Sequence, residues 1–318
     1  MKMDLPRERV FGPVVSRRLG MSLGVDLVPM KTCSLSCIYC QIGRTPRTTV
    51  ERRRFSDPEE LVGEVNAVLQ SRSDIDYLTL SGSGEPTLEL GIGEIIRRLK
   101  SVSETPVAVL TNGTMFIYPE VREAVKEADL ILPSLDAATE EIFQKVNRPH
   151  ESLTLDGLVE GLERLRGEYA GPIWLEVMLV KGVNDGESHM RKLARIVRMI
   201  RPDRIQLNTP VRPPADVEVR PLDLDEIEAA RDILGPEAEI IADVAPETRH
   251  VAATAAHEPV ILALAARRPV AAEEVSAAAG IHLAETLKYL AALERAGKLR
   301  RTVHGGKTFY AAAGAPEE

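Results

Sequence analysis

The chain has 318 residues, 44% of them hydrophobic and 28% charged, and a formal net charge of −8 at pH 7. That length suits one large domain and a small one with a sizeable buried core, and the acidic balance excludes a chain-wide polyanion-binding surface. No apolar run is long enough to span a bilayer, and the charged start MKMDLPRERVFGP lacks the apolar core of a signal peptide, so a cytoplasmic protein with no membrane partner is expected.

Residues 1–22 read as an arm rich in arginine, glycine and proline. Strand-like segments follow at 23–29, 76–82, 107–112, 130–136, 173–181 and 204–209, with a further one at 238–243. Amphipathic stretches lie between them at 57–71, 90–102, 119–128, 139–147, 154–168 and 187–200. Asp57-Pro58 and Thr139-Glu140-Glu141 supply caps or first-turn acids for two of these helices. Repeated strand–helix units predict an α/β fold, a parallel sheet with right-handed crossovers closing into a partial or full (β/α) barrel over residues 23–245.

The strands turn polar on alternate residues near their carboxyl ends. Thr79 and Ser81 share a face, as do Ser134 and Asp136, and Gln206 and Asn208, while Glu176 interrupts an apolar strand. Strand-end capping accounts for any one of these as well as function does. Four strands agreeing favours a polar cavity at the barrel mouth, where barrel enzymes place their sites.

Residues 246–257 read as a linker, and the chain beyond is alanine-rich. Two short helices are expected at 258–268 and 271–279, then a longer one at 283–298 with Leu283, Leu287, Leu290 and Leu293 on one stripe. LRRTVHGGKTFYAA reads as a hairpin around Gly305-Gly306. Three helices and a two-stranded wing follow the winged helix-turn-helix order over 258–313, with 314–318 a frayed tail.

All three cysteines, Cys33, Cys37 and Cys40, fall within eight residues. An odd number so tightly spaced is no disulfide framework and suggests a ligand cluster kept reduced. Thiolates bind the iron of a cubane cluster, and three ligands leave one iron open for chemistry. Structural zinc wants four closed ligands, and the nearest histidine to this loop is His150. The loop follows the first expected strand, which places it at the mouth.

The pattern Cys33-x3-Cys37-x-Tyr39-Cys40, with an aromatic before the third cysteine, resembles the radical SAM superfamily signature. The resemblance implies a [4Fe–4S] cluster whose open iron chelates S-adenosylmethionine (SAM). Reduction by an external one-electron donor of the flavodoxin or ferredoxin type then yields methionine and a 5′-deoxyadenosyl radical, which abstracts a hydrogen atom from substrate. Ser83-Gly84-Glu85-Pro86 is similar to the family's Gly-Gly-Glu-Pro motif, which holds the methionine amino group, with Ser83 in place of the first glycine. Ser134 and Asp136 stand where the family often places ribose-binding side chains, and VMLVKGVND at 177–185 resembles the strand and loop that cradle adenine and methionine. On this resemblance Cys33, Cys37 and Cys40 are the metal ligands and catalytic centre. Tyr39, Gly84, Glu85, Pro86, Thr111, Ser134, Asp136, Glu176 and Asn208 are the cofactor-binding residues.

The arm FGPVVSRRLG and the following SLGVD resemble the branch of iron–sulfur oxidoreductases related to tRNA wyosine-base synthases. Arg17 and Arg18 there either clamp a phosphate or carboxylate or tie the arm to the barrel. The archaeal wyosine synthases need a further cluster, and no cysteine is left to hold one, which speaks against that reaction. Lys31 and Lys181, near the mouth, are either reactive amines or solvated lysines.

Residues 257–312 hold eight Lys/Arg and five Asp/Glu. His282, Glu285, Thr286, Lys288 and Tyr289 are the positions expected to be exposed early on the recognition helix, and Arg300, Arg301, His304 and Lys307 make the wing more basic. Nucleic-acid or protein docking is open to such a module. The leading reading is a radical SAM enzyme acting on a tRNA base, peptide, protein or small molecule. The alternative is an iron–sulfur or SAM-sensing DNA-binding regulator.

Overall fold

The computed structural model describes residues 9–16, 18–211, 214–242, 251–265, 269–279, 281, 283–304 and 307–313. The chain divides into two compact units, 1–244 and 245–318.

The first unit is an open, mostly parallel sheet with helices between successive strands. Its strands are β1 (Val10–Ser16), β2 (Gly20–Asp26), β3 (Tyr77–Ser81), β4 (Val107–Thr111), β5 (Leu130–Pro133), β6 (Trp174–Met178), β7 (Arg204–Asn208) and β8 (Ala238–Ile240). Strands β2 to β5 pair in parallel in chain order, as do β6 to β8. The two runs meet through parallel bridges at Ile131–Ile173 and Ser134–Glu176. No pairing joins β8 back to β1 or β2 among the described residues, so the (β/α) barrel is partial.

The arm, in which no strand was predicted, contributes one. Its strand β1 pairs antiparallel with β2, with a register shift between Phe11 and Val14. Strands β5 and β6 are shorter than expected, which leaves Ser134 and Asp136 in the loop after β5.

The helices are α1 (Pro58–Ser71), α2 (Ile92–Val102), α3 (Pro119–Val125), α4 (Glu140–Val146), α5 (Leu155–Glu168), α6 (Glu187–Ile200) and α7 (Leu224–Leu234). Local chemistry starts several of them. Asp57 accepts from the amides of Glu59 and Glu60, and Thr139 and Thr154 cap α4 and α5. Helix α7 is absent from the sequence reading, although Asp223 and Glu226 form a reciprocal capping box at its start.

Side-chain alternation on the strands builds two packed layers. Leu78, Leu80, Val107, Val109, Ile131, Leu175 and Val177 join helix residues such as Leu61, Ile95 and Leu162 in the main core. Tyr77, Ala108, Leu110, Leu130, Leu132 and Trp174, one residue out of phase, gather with Leu19 in a separate cluster on the other face. On that second face, further toward the strands' carboxyl ends, stand Thr79, Glu176, Gln206 and Asn208. That face is thus apolar toward the strands' amino ends and polar toward their carboxyl ends.

The second unit contains α8 (Val251–Ala265), α9 (Ala272–Ala279), α10 (Leu283–Arg295) and an antiparallel hairpin of β9 (Leu299–His304) and β10 (Lys307–Ala312). Residues 251–257, expected as linker, are helical, and α8 runs through Pro259 instead of starting near it. Alanine's high helix propensity accounts for the extension. Leu290 and Leu293 are buried with Ile261, Val275 and Tyr310, while Leu283 and Leu287 line the same cluster. Thr286, expected on an exposed face, is fully buried. The expected turn at Gly305-Gly306, His282 and the tail at 314–318 lie outside the described residues.

Candidate active site at the mouth of the sheet

The cysteine loop follows β2 and is stitched to the turn after β3. The Lys31 amide donates to the Ser83 carbonyl at 2.6 Å, and the Glu85 amide donates to the Thr32 carbonyl at 2.9 Å. Gly84 lies flat on this seam, where an added Cβ would sit 2.1 Å from the Thr32 oxygen. A glycine is therefore required one turn away from Cys33. Ser83 adds a hydroxyl that is buried with no hydrogen-bond partner among the described residues.

Each cysteine sulfur receives a side-chain N–H. Asn112 Nδ2 donates to Cys33 Sγ at 3.6 Å, Asn147 Nδ2 to Cys37 Sγ at 3.5 Å, and Lys31 Nζ to Cys40 Sγ at 3.4 Å. Lys31 is half-buried, and its ammonium also bonds the Gly43 carbonyl. Sequence reasoning missed Asn112 and Asn147. Asn112 immediately follows Thr111, which the sequence singled out, whereas Asn147, the C-cap of α4, has no such neighbour.

Burial pushes the Cys33 thiol up to about 12, with Glu85 adding to the effect. Burial likewise lifts Cys37 well above the ordinary thiol range, helped by Asp136. Such thiols do not persist as free thiolates, and metal binding is what displaces their protons.

Two of the buried carboxylates, Glu85 and Asp136, serve the loop itself. Glu85 accepts from the Thr87 amide and hydroxyl at 3.0 and 2.6 Å, the Thr111 hydroxyl at 2.6 Å and the Asn112 amide at 2.7 Å. Its side chain and that of Thr111 are therefore committed to the protein, and Pro86 opens the short 3-10 turn that follows. Asp136 accepts from Tyr39 Oη at 2.5 Å, Asn147 Nδ2 at 2.7 Å and the Met178 amide at 2.9 Å. Asp136 thereby anchors the aromatic of the cysteine motif and the amide that faces Cys37.

Burial raises the Asp136 carboxyl from its ordinary 3.8 to about 6, against the three donors that favour its charge. The folded state then holds this proton more tightly than the unfolded chain, so the group's contribution to stability falls as pH rises through that interval. In urea unfolding of the cluster-free protein between about pH 4 and pH 6.5, wild type should lose on the order of 1–3 kcal/mol relative to Asp136→Asn. Parallel curves for the two proteins would refute the assignment.

On the polar end of that face, Glu176 pairs with Arg18 at 3.0 Å and accepts from Asn208 Nδ2 at 2.9 Å. Arg18 therefore ties the arm to the sheet, and Arg17 lies outside the described residues. Lys181 pairs with Glu226 at 2.6 Å and Asp223 at 3.4 Å, at the start of α7. Asp216, from the loop after β7, is held by Arg148 at 2.6 Å and Arg44 at 2.9 Å, which fastens that loop over the cysteine segment. Ser134 is half-buried, its amide bonded to the Thr111 carbonyl.

The donor set fits an iron–sulfur cubane. Three soft thiolates stand in one loop, each with an N–H donor of the kind that stabilises cluster sulfur. Among the described residues no three His, Cys, Asp or Glu side chains converge as the ligands of a single ion would. Cubane thiolates each take a different iron, so they surround a volume and not a point.

Comparison with known proteins agrees. The family model of the Radical SAM superfamily matches residues 27–194, more than half of the chain. The chain belongs to the radical SAM superfamily. A UPF0026 protein of Methanocaldococcus jannaschii is 36% identical over 219 residues, covering 68% of each protein, which places the chain among the UPF0026 proteins of that superfamily. A Brachyspira hyodysenteriae protein named GTPase Obg is 39% identical over 230 residues, 72% of this chain, but the chain spans only 34% of that protein's length. Among solved structures, TYW1 with a lysine-pyruvate adduct bound superposes with a TM-score of 0.53 at 18% identity, covering 67% of this chain and 72% of that one, a likeness of fold.

Proposed function

We propose that this chain is a radical SAM enzyme that holds one [4Fe–4S] cluster on Cys33, Cys37 and Cys40 and abstracts a hydrogen atom from a substrate admitted to the cavity. The observation that carries the reading is the mouth itself, three cysteine sulfurs each met by an N–H donor beside a glycine seam that only a backbone can fill. Fold alone would not carry it.

Bound there, the cluster and SAM supply a 5′-deoxyadenosyl radical after one-electron reduction by a flavodoxin- or ferredoxin-type donor. The protein's part is to hold and orient. The turn at 83–85 lies against the cysteine loop, where the methionine end of SAM would bind, with Glu85 and Thr111 fixing that turn from behind. Ser134, at the end of β5, is placed for the ribose. Glu176, held by Arg18 and Asn208, marks the polar wall that substrate would meet. The second unit, read as a winged helix-turn-helix, docks the macromolecule that carries the substrate, with Arg300 and Arg301 exposed on its hairpin. The regulator alternative finds no support in the family match or the relatives.

The test is direct. Protein reconstituted with iron and sulfide under anaerobic conditions, then given dithionite and SAM, should release 5′-deoxyadenosine. A fully clustered protein that releases none would end the enzymatic reading.

A further inference from the structure

We propose that Lys31 sets the ease of cluster reduction: its ammonium, held against Cys40, raises the potential at which the [4Fe–4S] cluster takes up its electron. The inference rests on the reading that the three cysteines hold such a cluster.

The three sulfur donors are not alike. Asn112 and Asn147 are neutral amides, at 3.6 Å from Cys33 and 3.5 Å from Cys37. Lys31 brings a full positive charge to 3.4 Å from Cys40. The carboxylates are distributed in the opposite sense. Glu85 accepts from the backbone amide of Asn112, whose side chain meets Cys33, and Asp136 accepts from the Asn147 side-chain amide, which meets Cys37. The loop therefore carries an electrostatic gradient, with anions behind two ligands and a cation beside the third.

The backbone is shaped to place that cation. Lys31 has φ of 63°, in the left-handed region that residues with a Cβ avoid. Its amide is fixed by the Ser83 carbonyl at 2.6 Å, and the next amide, of Thr32, turns back to Pro29 at 3.0 Å. The side chain ends between Cys40 Sγ and the Gly43 carbonyl, within the same loop. A solubilising lysine would need none of these constraints.

Reduction adds one electron to the cluster from the external donor, with no bond made or broken. The reduced form carries one more negative charge, so a cation in contact with a ligand sulfur stabilises it more than the oxidised form. Net charge and hydrogen bonds to sulfur are the levers by which proteins tune such potentials. Lys31 combines both in a single side chain.

The experiment is an EPR-monitored redox titration of the full chain, at matched iron and sulfide content. Lys31→Met should lower the equilibrium constant for reduction at least tenfold, a shift of about 59 mV to more negative potential for a one-electron couple. Lys31→Arg keeps the charge and should stay within about threefold of wild type. Equal potentials for wild type and Lys31→Met overturn the proposal, as does an arginine variant that shifts as far as methionine. Where Lys31→Met holds no cluster, Lys31→Gln takes its place in the titration. Loss of the cluster from both neutral variants would assign the lysine to assembly and overturn its role in potential. A wild-type chain that takes up no iron and sulfide fails at the earlier step, and is told apart by metal analysis alone.

Discussion

Replacing Cys37 by alanine is expected to abolish 5′-deoxyadenosine release and to strip most of the iron from the reconstituted protein. The chain has three cysteines and so no spare thiolate. Outer-shell partners of metal ligands typically cost 10–100-fold when removed, and loss of a ligand from a three-thiolate set exceeds that. The substitution also leaves the Asn147 amide without its sulfur acceptor, although Asp136 still receives it at 2.7 Å. The scaffold should survive, because Cys37 lies at the edge of the main core and the carboxylate network behind it is intact. The check is threefold: iron and sulfide content, 5′-deoxyadenosine by chromatography, and circular dichroism. A variant with wild-type iron and wild-type release would remove Cys37 from the site.

Much of this site is legible in the sequence because its chemistry is local. The three cysteines share one loop, and Glu85 lies in a motif beside a strand end. Polar alternation on the strands foretells the polar carboxyl-end face of the sheet, since side chains two apart must share a face. The roles of the polar residues are another matter. Asp136, in the loop after β5, and Thr111 bond Tyr39, Asn147 and Glu85. Which polar groups face ligand and which face protein depends on donors brought in by tertiary contacts. Asn112 meets Cys33 across 79 residues, and Asn147 meets Cys37 across 110. No spacing in the sequence reports such pairs. Strand β1 was hidden for a different reason. Gly12 and Pro13 break its pattern, and pairing on a sheet edge is where proline is tolerated.

Gly84→Ala should be the most damaging conservative change outside the cysteines. The new methyl would lie 2.1 Å from the Thr32 oxygen and 2.8 Å from a Val28 methyl. Val28 can shift by a rotamer change. The Thr32 carbonyl cannot, because it accepts from the Glu85 amide at 2.9 Å and belongs to the residue before Cys33. Relief of the clash must therefore part the two loops or move the first cluster ligand. Overpacking of this sort costs about 1–3 kcal/mol, but the cost falls on the seam and not on the sheet, so cluster occupancy should drop before the fold does. Gly63→Ala provides the contrast. On α1 its added methyl meets nothing within 4 Å, and alanine's helix propensity should stabilise the protein by up to about 1 kcal/mol. Iron content and thermal melts of the two variants separate a glycine required for close approach from one that is merely tolerated. Full cluster loading in Gly84→Ala would mean that the seam can open without moving Cys33, and the coupling of the two loops would have to be abandoned.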